Sequence, residues 1–277
     1  MFALTRGRQV LLSIVLLSYA SNAAFANQDA ELHKQYDELI RKQDYRDALA
    51  TVDKALALNP KQGAILDRRA ECYNLLQQYD KAIADSDAAL VLNSSDYTAY
   101  QNRANAFSHL GKTKPAIADY TKQTSLQPKN PQPYAARAYL FENFGKKQPA
   151  IDDYTKAIDL YRAHPPAAQD ETARLNGLMM LANAFNRRGS LWSESNQFGR
   201  AVDDYSESIK QIDTLKAPST FKTLKAGGAF SLSPSPYAGR AAAYEKLGKH
   251  ELALADHKKL DELKKLDGKN FRRKANQ

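Results

Sequence analysis

The chain has one cysteine in 277 residues, which excludes an intramolecular disulfide and any metal site built on paired thiolates. Cys72 lies on an apolar helical pattern, where a thiol packs as a small hydrophobe. After Ala20 no uninterrupted apolar stretch approaches the ~20 residues of a bilayer span, so the body of the chain is read as non-membranous. Catalytic signatures are missing as well: there is no G-x-x-x-x-G-K-[ST] phosphate cradle and no G-x-S-x-G nucleophile turn. HELALADH, from His250 to His257, falls short of the H-E-x-x-H zinc pair because Leu254 stands where the second histidine is required. No enzyme activity, metal or cofactor is expected.

What is present begins with MFALTRGRQVLLSIVLLSYASNAAFANQ: two arginines, an apolar run from Val10 to Ala20, and Ala24 and Ala26 framing Phe25. This is the pattern of a cleaved export leader, residues 1–26, and places the mature chain in a periplasmic or secreted setting. No cysteine stands at the cleavage point to carry a lipid. Loss of Arg6 and Arg8 with the leader lowers the formal charge from +9 to +7. Much of the excess is terminal, with eight bases against three acids from Lys258 to Gln277. That basic tail, 268–277, offers an alternative role as an attachment to anionic lipid or polymer.

A period of 34 residues organises the rest. Arg69, Arg103 and Arg137 mark it; Ala82, Ala116 and Ala150 follow each arginine by 13 residues, and Asp85, Asp119 and Asp153 by 16. Aromatic residues keep step at Tyr73, Phe107 and Phe141. With small residues at places eight, twenty and twenty-seven and an aromatic at place eleven, held in the second unit by Ala70, Ala82, Ala89 and Tyr73, the pattern resembles a tetratricopeptide repeat. Units are assigned at 29–62, 63–96, 97–130 and 131–164, then at 182–215 and 234–267 after insertions at 165–181 and 216–233. The first insertion carries Leu175, Leu178 and Met179 on one helical face and is expected to lengthen the helix that follows. The second mixes Gly and Pro with Phe221, Leu224, Phe230 and Leu232.

Neither helix of such a unit can bury its apolar stripe alone, so neighbours stack into an all-α solenoid, expected here as a right-handed superhelix. Small residues at facing places let paired helices approach. An arginine at place seven is long enough to reach an aspartate at place 23, within its unit or in the adjacent one, giving a ladder of expected ion pairs: Arg69 with Asp85, Arg103 with Asp119, Arg137 with Asp153, Arg188 with Asp204 and Arg240 with Asp256. Their role is read as structural.

The resemblance implies a concave wall formed by the first helix of each unit, at places 2, 5, 6, 9, 12 and 13, and a function in binding protein or peptide partners. Those places hold Asn74, Gln101, Asn102, Asn105, His109, Tyr139, Asn143, Asn183, Asn186 and Arg187. Amides donate and accept, so an array of them can pair with the backbone of an extended peptide. One subclass of the family clamps a terminal carboxylate with lysines and an arginine; the third and fourth units here have no lysine or arginine at the wall places. A non-enzymatic exported scaffold or adaptor is the expectation, without specific nucleic-acid binding.

Overall fold

The computed structural model describes residues 30–59, 61–167, 170–215 and 236–275, with side chains through 265. The leader, the insertion 216–233 with Phe221, Leu224, Phe230 and Leu232, and the side chains of the tail lie outside the described residues. Those described form twelve helices in consecutive pairs. They are α1 (residues 30–42), α2 (Tyr45–Leu58), α3 (Gly63–Leu75), α4 (Tyr79–Leu92), α5 (Tyr97–His109), α6 (Thr113–Leu126), α7 (Pro131–Asn143), α8 (Lys147–Ala163), α9 (Glu171–Glu194), α10 (Phe198–Leu215), α11 (Pro236–Lys246) and α12 (His250–Ala275). The protein is all-α, a tetratricopeptide-like helical array. Its contacts divide it into two compact units, one ending at Asp119 and one beginning at Tyr120.

Each hairpin turns at place fifteen, the residue with positive φ: Gln43 at 61°, Gln77 at 60°, Gly111 at 69°, Gly145 at 71°, Asn196 at 58° and Gly248 at 71°. A left-handed residue ends one helix and aims the chain back along it. In the third unit the Lys112 N–H donates to the Phe107 carbonyl at 2.8 Å and the Gly111 N–H to that of Ser108 at 3.0 Å. That double closure satisfies carbonyls the helix end would leave open. Helix starts are fixed by side chains where the sequence supplies them: Asp96 accepts from Thr98 N and Ala99 N, and Asp170 from Ala173 N.

Small residues bring the paired backbones together. Ala70, Ala104, Ala138 and Ala241 at place eight, and Ala48, Ala82, Ala116, Ala150 and Ala201 at place twenty, are fully buried. A longer side chain at any of them would force a shift in a packed seam.

The two units fill their cores differently. In the first, one cluster gathers Tyr36, Val52, Ile65 and Cys72 around alanines. Burial pushes the Cys72 thiol up to about 12, so it is an inert core group and not a nucleophile. In the second, Tyr154, Ile158, Tyr161, Leu181, Phe185 and Leu191 build a bulkier cluster. Each such side chain contributes roughly 1.5–3 kcal/mol when fully buried. α9, at 24 residues, supplies three of them and extends well before the start of its repeat.

Candidate functional site

The recurring arginines meet their aspartates in paired, parallel hydrogen bonds. Arg69 Nε and Nη2 donate to Asp85 at 2.7 and 2.8 Å, and Arg103 to Asp119 at 2.8 Å through both nitrogens. Arg137 donates to Asp153 at 2.7 and 2.8 Å, Arg188 to Asp204 at 2.7 Å twice, and Arg240 to Asp256 at 2.8 and 2.7 Å. All five carboxylates are buried. The Asp85, Asp119 and Asp256 bonds hold Arg69, Arg103 and Arg240 still further above the ordinary guanidinium range, while burial pushes the Asp204 carboxyl up in spite of Arg188. Each of these pairs joins the two helices of one hairpin through two parallel hydrogen bonds.

A third column completes each rung. The remaining guanidinium nitrogen, Nη1, reaches place 25 of the preceding repeat: Asp53 for Arg69, Asp87 for Arg103, Thr121 for Arg137, Thr155 for Arg188 and Ser206 for Arg240. Each arginine therefore ties its own hairpin to the one before. Sequence reasoning overlooked this column because Asp, Asp, Thr, Thr and Ser share no identity. Their common signal is an oxygen at a fixed place.

Within the first unit the expected wall residues are largely occupied by the protein itself. Asn74 Nδ2 donates to the Asn102 carbonyl at 2.9 Å, and Asn102 Nδ2 to the Asp67 carbonyl at 2.9 Å. Asn102 is buried in the seam between α3 and α5, so its expected place in an open wall is corrected: its amide bridges helices. Gln101 and Asn105 are half-buried, and exposed His109 stacks on Tyr79 with ring centroids 4.9 Å apart and planes 7° from parallel. Asp67, also buried, faces Asp96, and burial together with that neighbouring carboxylate pushes it up to about 7.

Within the second unit an open cleft of about 480 Å³ lies among α7, α8 and α9, lined by Ala135, Tyr139, Tyr154, Met180, Asn183, Ala184 and Arg187. Tyr139 and Asn183 are exposed at its rim. The Arg187 guanidinium stands 4.5 Å from the Tyr139 ring centroid, and its Nη1 donates to Glu142 Oε1 and Oε2 at 3.1 and 3.2 Å. Tyr154 Oη donates to the same carboxylate at 2.9 Å, so Glu142 is fixed from two sides. Burial, with Glu142 beside it, holds the Tyr154 hydroxyl far above the ordinary phenol range and therefore protonated. Three expected wall residues, Tyr139, Asn183 and Arg187, thus converge. Asn143 is exposed outside the cleft lining, while Asn186 is buried and so leaves the expected wall. Met180 was invisible to the repeat register because it precedes the first place of its unit and comes from the lengthened start of α9.

Among the described residues no group of three or more His, Cys, Asp or Glu could hold a metal ion, and no helix is long and apolar enough to cross a membrane. The family model of the tetratricopeptide repeat matches residues 97–130 and 131–164. No curated protein matches the sequence. Among solved structures the chain is similar to PilF of Pseudomonas aeruginosa, at 12% identity over 91% of this chain and 99% of that one, with a TM-score of 0.63. It is similar to PilW, described as a widely conserved type IV pilus biogenesis factor, at 19% identity over 84% and 91% of the two chains, with a TM-score of 0.59. MamA from Desulfovibrio magneticus RS-1 superposes at 12% identity over 69% of this chain and 98% of its own, with a TM-score of 0.56. These likenesses concern the fold. Residues 97–164 thus match the tetratricopeptide repeat, and the other described helices pair in the same fashion.

Proposed function

We propose that this protein is an exported, non-enzymatic scaffold that binds an extended segment of a protein partner on the first-helix face of its repeats. The observation that carries the reading is the cleft between α7 and α9, open to solvent and rimmed by exposed Tyr139 and Asn183. A concave, partly apolar site with a few fixed polar groups is the usual form of a recognition pocket. The rung arginines, each bonded to an aspartate and to an oxygen of the preceding repeat, supply rigidity and leave recognition to the cleft. The leader-like residues 1–26 support an envelope or secreted setting. The role named for PilW makes assembly of an envelope complex the setting we propose for the partner.

A photo-crosslinking residue placed at Asn183, compared in cells with one at exposed Lys156 on α8, tests the reading. A discrete adduct from position 183 that position 156 does not give is expected. The same adducts from both positions, or none from 183, would remove the cleft from consideration. Sequencing the amino terminus of the purified envelope fraction should begin at Asn27; a retained Met1 in a cytosolic fraction would refute export.

A further inference from the structure

We infer that the α7–α9 cleft selects an aromatic side chain from an uncharged stretch of the partner, and rejects a carboxylate; this rests on the reading of that face as a peptide-binding surface. Charge comes first. Arg187 is the cation of the cleft, and Glu142 already neutralises it through two contacts at 3.1 and 3.2 Å. An incoming carboxylate would set a second anion beside Glu142, itself pinned by Tyr154. An incoming ammonium would meet Arg187. Desolvating either charge without a new partner is costly, so the occupant is neutral.

Shape and surface chemistry then favour a ring. The apolar lining is methyl groups from Ala135 and Ala184, the Met180 thioether and the Tyr139 ring, which is 41% exposed. Thioethers make favourable contacts with aromatic edges, and a guanidinium stacks on aromatic faces. Arg187 already adopts that relation with Tyr139 and keeps 30% of its side chain exposed, so a ligand ring can join the stack. Asn183, one helical turn before Arg187, can donate to and accept from the ligand backbone at the rim.

The test is selection of a displayed random peptide library on the purified full chain, followed by titration of a fluorescent synthetic copy of the enriched peptide. Expected is enrichment of one aromatic position with few acids around it. Binding should weaken about tenfold or more when the cleft is filled by Ala135→Trp or blocked at its exposed rim by Asn183→Trp; the rim variant serves if the inner one melts early. Glu142→Gln should keep the Tyr154 hydrogen bond while freeing the charge of Arg187, and so shift the selection toward acidic peptides. Enrichment of acidic residues or free carboxyl termini by the wild type would overturn the aromatic assignment and leave peptide binding standing. Peptides that bind equally to both tryptophan variants, or no enrichment at all, would overturn the cleft reading and the inference with it.

Discussion

In the unit ending at Asp119, each rung arginine faces two carboxylates: Asp85 and Asp53 around Arg69, Asp119 and Asp87 around Arg103. In the unit beginning at Tyr120, each faces one carboxylate and at least one hydroxyl: Asp153 with Thr121 and Thr124, Asp204 with Thr155, Asp256 with Ser206. The geometry at the buried aspartate is the same in both. What differs is the charge left when that aspartate is lost. A first-unit arginine keeps an exposed carboxylate as counter-ion, whereas a second-unit arginine is stranded among neutral oxygens with as little as 15% of its side chain exposed. The outer carboxylates are half-exposed and contribute little in the intact protein, but they act as reserves when the inner partner fails.

The largest expected effect follows from that contrast. Asp204→Ala should destabilise the protein by about 3–5 kcal/mol, the cost of breaking a buried pair and leaving its cation behind. Asp85→Ala, with Asp53 still within reach, should cost only about 1–2 kcal/mol. Urea denaturation followed by circular dichroism measures both. Equal losses would show that the outer carboxylates do not substitute, and the distinction between the two kinds of rung would collapse.

A second difference lies between first helices of the two units. At place five the first unit buries Asp67 against Asp96, while the second unit has Ala135 at the same place. A carboxyl held near 7 in the folded chain and near 3.9 when unfolded retains its proton longest in the native state. Native stability is therefore greatest below the unfolded value, falls as pH rises from about 4 to about 7, and stays low above that. Asp67→Asn removes this slope. The variant should match the wild type near pH 4 and exceed it clearly at pH 8 in urea midpoint. A constant offset between the two proteins across that range would mean that Asp67 titrates like an exposed acid.

The units also differ in how they spend bulk. Tyr205 at place 24 is buried against Gly239 at place six of the next repeat, where a Cβ would fall 2.4 Å from the ring. The first unit pairs the same two places with small and long residues reversed, Ser86 at 24 and Asn102 at six. Gly239→Ala should then cost about 1–3 kcal/mol by overpacking, and Gly239→Ala with Tyr205→Val should recover part of it. A double variant no better than Gly239→Ala alone would place the strain elsewhere.

Much of this architecture was legible because a repeat prints its constraints several times. Arginine and aspartate columns 16 residues apart, with alanines at the facing places, are visible without coordinates because the same backbone approach recurs in every hairpin. Less was legible where identity changed while chemistry did not. The third partner of each rung needs only an oxygen, so Asp53 and Thr155 do not look alike. Nor could sequence separate a wet amide from a bridging one. Asn102 and Asn183 are equally polar, yet Asn102 is committed to the Asp67 carbonyl while Asn183 is exposed at the cleft rim. The cleft itself needed Met180, which the local extension of α9 supplies and no repeat column announces.

The smallest expected effect concerns the turns. Gly145 in the second unit adopts a φ of 71° at no steric cost, whereas Gln43 and Gln77 in the first hold 61° and 60° with a Cβ crowding the following carbonyl. A left-handed non-glycine residue costs about 1–2 kcal/mol, against which glycine adds about 0.5–1 kcal/mol of lost chain freedom. Gln77→Gly should therefore stabilise the first unit by about 0.5 kcal/mol, and Gly145→Ala should destabilise the second by about 1 kcal/mol. Carried together, the two changes would narrow any gap in melting between the units if the first melts earlier, and reverse its sign if they melt close together. Thermal melts monitored by hydrogen exchange at α3–α4 and at α7–α8 resolve the units separately. If Gln77→Gly lowers protection in α3–α4, the glutamine is held there by contacts that outweigh its backbone strain, and the turn chemistry of the two units is not interchangeable.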